Sequence, residues 1–472
     1  MSKYLIAIFT LSVSLFGVPS LAEEDTPNVL FIMIDDLRPE LGAYGKKIIK
    51  SPNIDRFADQ GVVFTNAYVN VPICGASRAS MMTGIRPTES LFLKYYSRID
   101  EEAKDAETLF GYLKSRGYFT QSMGKIMHFS ADSASDWSVK PWSAPNKHGT
   151  GFQNYLLREN IDMQKRLGWG PPFEAADVKD NDYIDGMVAD NAVKAIKEAR
   201  DRKQPFFMAV GFVKPHLPFN APKKYWDMYQ DNEIHLADNP FQPTKAPKKA
   251  THQWGELRKY AGIPKKPLPV PDAMAKKLVH GYYASVSYID SQVGKVLQQL
   301  ERSGLSDNTI VFLLGDHGWS LGEHGLWAKH SPFDHATRTP LIVRVPSSHS
   351  NATVKGIAHG LVEFVDIFPT ILELTGQPSI DQLQGESFVA QLKDPKAPGK
   401  VAVFPRYELA EVIKTKNFAL TEWYSKKGKM LGRMLYDHRV DPEETYNVAE
   451  EPEYRTIVED LHSQLATMMK TR

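Results

Sequence analysis

Two pairs of adjacent polar residues stand where an apolar run stops: Asp35-Asp36 after NVLFIMI, and Asp316-His317 after TIVFLLG. Neighbouring carboxylates repel each other and are costly to bury unless a cation joins them. One such pair is common enough as a helix cap beside a solvated neighbour. Here the pattern recurs, the second time between Gly315 and Gly318. Three carboxylates suit a hard divalent cation such as calcium or magnesium; His317 is a softer donor, so residue chemistry alone leaves manganese and zinc open.

A basic set follows other apolar runs: Arg78, Lys125, His128, His216 and Lys329. Each alone reads as a surface charge. Gathered beside a metal, they would form a pocket for a tetrahedral oxyanion. Arg offers a planar fork of donors, Lys a point charge, and His a proton near neutral pH. Such groups serve a transfer in which charge builds on equatorial and leaving oxygens.

Cys74 is the only cysteine in 472 residues. It lies in PICGASRASMMTGIRP, residues 72–87. Residues 1–22 carry one lysine, a short apolar stretch and small residues at Ser20 and Ala22. That is the pattern of a secretory signal cut after Ala22, too short to span a bilayer comfortably. An exported protein normally pairs its cysteines. A lone one is an intermolecular link, a buried filler, or a reactive or modified group.

These residues need elements to bring them together. Asn28–Ile34, 61–69, 118–123, 205–212, 309–315 and 340–345 read as strands buried on both faces. Helical spacing fills the gaps: a helix opened by Ser51-Pro52-Asn53 and closed by Gly61, then residues 107–116, 183–200, 274–302 and 361–374. Alternating strands and helices predict an α/β fold with a parallel sheet. Ligands of such sheets bind outside the carboxyl ends of the strands, where every cluster above lies. From about residue 399 short alternating strands and a final helix over 454–469 predict a small α+β domain. The expected division is a signal peptide at 1–22, a catalytic domain at 23–398 and a C-terminal subdomain at 399–472. Residues 217–272, rich in Pro and Lys, read as an irregular excursion rimming the pocket. The balance of 57 basic and 56 acidic residues carries no signature of a nucleic-acid partner.

Cys74-Gly75-Ala76-Ser77-Arg78, with Thr83-Gly84 after it, resembles the signature of the type I sulfatases, with Ala76 where proline is commoner. The blocks NVLFIMIDDLRPELGAYG, SPNIDRFADQGVVFTNAY, GYFTQSMGKIMH, KPHLPF, GDHGWSLGEHGLWAKHSPFDHATRTPLIV and LYDHRVDPEETYNVA are similar to those of the iduronate-2-sulfatase branch. The resemblance runs from about residue 27 into the C-terminal domain. It is weakest over 130–180 and 217–272, where substrate-specific loops would lie.

It implies an alkaline-phosphatase-like domain with a smaller C-terminal sheet domain. It implies that a maturation enzyme converts Cys74 to formylglycine. Asp35, Asp36, Asp316 and His317 would then bind calcium, with the modified Cys74 completing the shell. Arg78 and Lys125 would hold the formylglycine, His128 would act there as base, and His216 and Lys329 would grip the sulfate. The implied reaction is attack on sulfur by one hydroxyl of the aldehyde hydrate. The sulfate ester so formed is released when the second hydroxyl loses its proton.

The implied substrate is a sulfated carbohydrate, a 2-O-sulfated uronic acid of a glycosaminoglycan or algal polysaccharide. The rivals are a phosphomonoester or phosphonate hydrolase of the same superfamily, and a carbohydrate-binding relative without catalysis. Trp319, and Trp137, Trp142, Trp226 and Trp254, read either as platforms for sugar rings or as ordinary core. His330 and Arg98 are further cationic candidates for a substrate carboxylate. The expected location is periplasmic or secreted, or lysosomal in a eukaryote, without a membrane anchor.

Overall fold

The computed structural model describes residues 26–145, 151–202, 204–252, 255–265 and 269–471. The signal-peptide expectation and Trp254 fall outside these residues. Among them, no helix is long and apolar enough to cross a membrane.

Seven strands form the main sheet: β1 (Asn28–Ile34), β2 (Val62–Phe64), β3 (Phe119–Gly124), β4 (Phe206–Phe212), β5 (Thr309–Gly315), β6 (Leu341–Arg344) and β7 (Gly356–Ala358). Their spatial order is β7-β2-β6-β5-β1-β4-β3. β1 pairs in parallel with both β4 and β5, and β3 extends the parallel block beyond β4. β6 runs antiparallel to both its neighbours, so the sheet is mostly rather than wholly parallel.

The continuous apolar run of β1 has a simple cause: both faces are covered. Leu30, Ile32 and Ile34 join one core, with helices α1 (Pro52–Ala58), α4 (Ile184–Arg200) and α5 (Asp272–Arg302). Val29, Phe31 and Met33 join the other, with α2 (Cys74–Thr83), α3 (Leu109–Ser115) and α6 (Ile367–Leu374). Alternation along the strand sends successive side chains to opposite layers.

Three local expectations change. The run over 61–69 is two strands, because the chain bends at Thr65-Asn66; Ala67–Tyr68 leaves the main sheet to pair with Val362–Glu363. That pairing takes residues 362–363 out of the helix expected over 361–374, which starts at Ile367. Ser51 occupies the N-cap of α1 but does not cap it. Asp290 of α5 does: its carboxylate accepts from the amides of Asn53 and Ile54 at 3.0 and 2.7 Å. The cap thus comes from a neighbouring helix.

The C-terminal domain holds a four-stranded antiparallel sheet, β8 (Arg406–Tyr407), β9 (Ala410–Lys414), β10 (Phe418–Tyr424) and β11 (Met430–Asp437), backed by α7 (Arg455–Thr471). Trp423, Met434 and Tyr436 pack against Leu326 and Phe333. These flank Lys329, so this sheet braces the loop that carries it.

Candidate active site

The carboxyl ends of β1, β3, β4 and β5 lie along one edge of the sheet, and α2 begins against the same edge. Donor atoms of Asp35, Asp36, Cys74 and His317 all lie within 4.8 Å of one another, and all four residues are buried. Asp316 joins them: its Oδ1 accepts the Asp36 amide at 3.1 Å and its Oδ2 is 3.6 Å from His317 Nε2.

Backbone details explain how these groups converge. Asp36 has φ 59, an unusual conformation for a non-glycine residue. Tyr282 holds it there, donating its hydroxyl to the Asp36 carbonyl at 2.8 Å and accepting the Arg38 amide at 3.0 Å. Gly75 allows the Tyr95 segment to lie on the start of α2; a Cβ there would meet the Tyr95 carbonyl oxygen at 2.0 Å. Ser77 donates to the Asp316 carbonyl at 2.6 Å, tying α2 to the end of β5.

Arg78 is fully buried and spends its donors on the protein. Nε donates to Asp316 Oδ2 at 2.9 Å, one terminal nitrogen to Asp35 Oδ1 at 3.1 Å, and the other to the Ile126 carbonyl at 2.8 Å and to the Lys125 carbonyl. Its fork orients two carboxylates. Lys125 donates to Asp35 Oδ2. Lys329 sits over Asp36, 3.1 and 3.2 Å from its two oxygens. His317 Nδ1 is 3.0 Å from the Gly318 carbonyl, an acceptor, so this nitrogen carries the proton and Nε2 keeps its lone pair. That lone pair lies 3.1 Å from Cys74 Sγ.

The charges do not balance evenly. Burial raises the Asp35 carboxyl, but Lys125 and Arg78 outweigh it and hold the group well below the usual carboxylate range. Burial pushes Asp36 well above that range against Lys329, with Asp35 adding repulsion. Asp316 is pushed up to about 7 by burial and by Asp35. Burial likewise raises the Cys74 thiol, so it is not poised as a thiolate. Two under-compensated carboxylates beside a neutral imidazole lone pair are a donor set that fits a divalent cation.

The cluster opens into a cavity of about 530 Å³. Cys74, Lys125, His128, His216 and Lys329 line it. His128 Nδ1 has no hydrogen-bond partner among the described residues, and burial followed by Lys125 lowers this imidazole to about 3. The His216 loop is held by Lys214, which donates to the carbonyls of His216 and Pro218 at 2.8 and 2.7 Å.

The aromatic candidates fare differently. Trp319 is fully buried, against Phe219 and beneath Lys329, whose Nζ is 5.1 Å from its ring. It does not line the cavity, which overturns its reading as a sugar platform: next to a ligand in sequence, it faces the core. Trp137 stacks on Phe110 at 4.0 Å and is core. Trp226 stacks on His280 at 4.6 Å in a separate open groove. Trp142 is half-buried and packs on the core. His330 lines the cavity, whereas Arg98 is engaged by Asp100 at 2.8 Å and does not.

Sequence reasoning missed Tyr95, Phe152, Trp169, Glu256 and Lys259, all on the cavity wall. All but Tyr95 fall in the segments read as variable loops; no motif marks them.

The family model described as Sulfatase matches residues 27–377, and one described as N-sulphoglucosamine sulphohydrolase, C-terminal, matches 322–471. Iduronate 2-sulfatase of Mus musculus is 34% identical over 398 residues, covering 78% of this chain and 72% of that protein. A solved structure of a protein in complex with its substrate, D-glucosamine-2-N,6-O-disulfate, shares the fold with TM-score 0.73 at 23% identity, over 94% of this chain and 98% of that one. The phosphonate monoester hydrolase of Agrobacterium radiobacter shares it with TM-score 0.75 at 20% identity, over 94% and 95%. With a family model matched across most of its length and a curated relative above 30% identity, the chain belongs to the type I sulfatase family of sulfuric ester hydrolases.

Proposed function

We propose that this protein removes sulfate from a carbohydrate, with a 2-O-sulfated uronic acid of a polysaccharide or glycosaminoglycan as the substrate. The observation that carries the reading is the convergence of Cys74, Asp35, Asp36 and His317 at the inner end of a cavity lined by Lys125, His128, His216 and Lys329. The likeness to an iduronate 2-sulfatase supports the sugar. Exposed Tyr95 and Phe152, with Trp169 beside them, offer apolar faces for a ring at the cavity wall.

Asp35, Asp36, Asp316 and His317, with residue 74, would hold one divalent cation, and the oxygen-rich set favours calcium. When present, the cation supplies positive charge for a sulfate oxygen, and formylglycine made from Cys74 by a maturation enzyme supplies a hydrated aldehyde as nucleophile. The chain's own groups do the rest. Arg78 fixes the directions of Asp35 and Asp316 and acts as a positioning residue. Lys125 and Lys329 place cationic donors in the cavity, suited to sulfate oxygens. His216 stands beside Lys329, suited to the leaving oxygen. His128, with a free ring nitrogen, is suited to taking a proton at residue 74. Export through the N-terminal segment belongs to the same reading.

Two measurements test it. Mass spectrometry of the Cys74 peptide from the native host should show the aldehyde. A panel of defined sulfated oligosaccharides should show release of sulfate from 2-O-sulfated uronic acid. An intact thiol together with no desulfation of any member defeats the proposal.

A further inference from the structure

Glu256 is the one carboxylate that lines the cavity among the described residues. It begins a short helix, Glu256–Lys259, and its side chain is mostly buried. Oε1 lies 3.3 Å from His216 Nε2, and Oε2 lies 3.5 Å from Lys329 Nζ. Lys329 already directs donors to both oxygens of Asp36 at 3.1 and 3.2 Å. His216 Nδ1 is engaged by the Leu217 carbonyl at 2.6 Å. Glu256 therefore faces the remaining donor capacity of Lys329, assigned above to the sulfate oxygens, and of His216, assigned to the leaving oxygen. An arriving tetrahedral anion must share Lys329 and His216 with a fixed negative charge.

That charge weighs differently on different anions. A sulfate monoester carries one negative charge, whereas a phosphate monoester carries nearly two at neutral pH. The fold alone does not choose between sulfur and phosphorus centres, since a phosphonate monoester hydrolase, whose named substrate class is itself monoanionic, shares it with TM-score 0.75. One extra unit charge about 4–6 Å from a carboxylate, at an effective dielectric constant near 20, is disfavoured by roughly a hundred- to a thousandfold. Specificity of this kind comes from a repulsive group as much as from an attractive one.

We infer that Glu256 is a specificity-determining residue that admits monoanionic sulfate esters and rejects dianionic phosphate esters. The inference rests on the sulfate-ester reading of the same site. Its test is the ratio of kcat/KM values on p-nitrophenyl sulfate and p-nitrophenyl phosphate, measured on the matured enzyme at pH 7.5. Glu256→Gln keeps the shape and removes the charge. The phosphate-to-sulfate ratio should rise at least about tenfold, with phosphate turnover rising in absolute terms. Glu256→Asp, which keeps the charge, should leave the ratio within a few-fold of wild type. Thermal melting of each variant reports whether it is folded.

An unmoved ratio in a folded Glu256→Gln protein overturns the inference. So does a matched fall on both esters, which would mark Glu256 as a support for Lys329 and His216 only. Wild-type protein that turns over sulfate while the ratio stays put defeats this inference alone. Wild-type protein that carries the aldehyde and its ion yet cleaves no sulfate ester defeats the reading beneath it and this inference with it.

Discussion

Helix α2 carries a buried charge cluster at each end, and the two behave oppositely. At its start, Cys74 and Arg78 meet Asp35, Asp36, Asp316, Lys125 and Lys329. Just past its end, Arg86 meets Glu363, which also accepts from Asn70 at 3.0 Å and from Lys400 at 2.7 Å. Lys400 reaches Asp366 at 2.5 Å, and Asp366 accepts the amides of Glu363 and Glu386 at 2.9 and 2.8 Å. Both clusters are buried and both shift the pKa values of their members. Burial with perturbed titration therefore does not mark the functional one, since structural ion-pair networks do the same. Solvent access and unspent valence mark it. The Arg86 end is closed, with each carboxylate met by several donors. The Cys74 end opens into a cavity and leaves His128 Nδ1 without a hydrogen-bond partner among the described residues.

Changing the open end should remove activity without unfolding the chain. Cys74→Ala should lower turnover on any sulfate ester by roughly a thousandfold or more, the scale of losing a nucleophile. Its melting temperature should stay within a few degrees of wild type, because a small side chain is exchanged where the cluster opens into a cavity. Appreciable multiple turnover by this variant would remove Cys74 from the chemistry. Asp316→Asn comes next. It takes a negative charge from the donor set and loosens Arg78, so both bound divalent ion and activity should fall, activity by about a hundredfold. Elemental analysis beside a rate assay checks this. Full metal occupancy with full activity would place the ion elsewhere.

The open end was legible in the sequence and the closed end was not. Asp35-Asp36 and Asp316-His317 stand out because a doubly buried strand must be apolar until it leaves the sheet, and the first polar residues after it lie at the ligand edge. Cys74 stands out because it is alone. Glu363 had no such flag: it sits in an apolar stretch whose spacing suits a helix, and only the pairing with Ala67–Tyr68 makes it a strand. Short apolar runs are ambiguous in this way. Trp319 was misplaced for a related reason, since adjacency in a loop says nothing about which way a ring points. Glu256, Phe152 and Trp169 lie in irregular segments, where no periodicity announces a wall of a pocket.

The closed end should answer mutation in the opposite way. Glu363→Gln leaves Arg86 and Lys400 buried around a neutral amide. Breaking a buried ionic network from one side costs about 3–5 kcal/mol, so urea denaturation should show a loss on that scale. The rate per folded molecule, counted by aldehyde content, should be that of wild type. A large fall in that rate with little loss of stability would mean that the two ends of α2 are coupled.

The dependence of that loss on pH sharpens the contrast further and is the smallest effect. Against burial, Lys400 and Arg86 lower the Glu363 carboxyl to about 2, below its ordinary value of 4.5. A lowered carboxylate contributes stability that is complete above the unfolded value and is lost as pH falls toward the folded one. Glu363→Gln lacks this contribution at every pH. Asp366 works with the opposite sign: burial and the charge of Glu363, opposed by Lys400, raise it to about 6. A raised carboxyl contributes stability at low pH that is lost as pH climbs through 6. The stability gap between wild type and Glu363→Gln should therefore widen slightly from pH 7 to about 5, then shrink toward pH 3. The whole change is of order 1–3 kcal/mol. Urea melts at pH 7, 5 and 3 measure it. A gap that instead grows steadily as the pH falls would mean that Glu363 is protonated in the folded chain, and that the closed end is held by neutral hydrogen bonds rather than by paired charge.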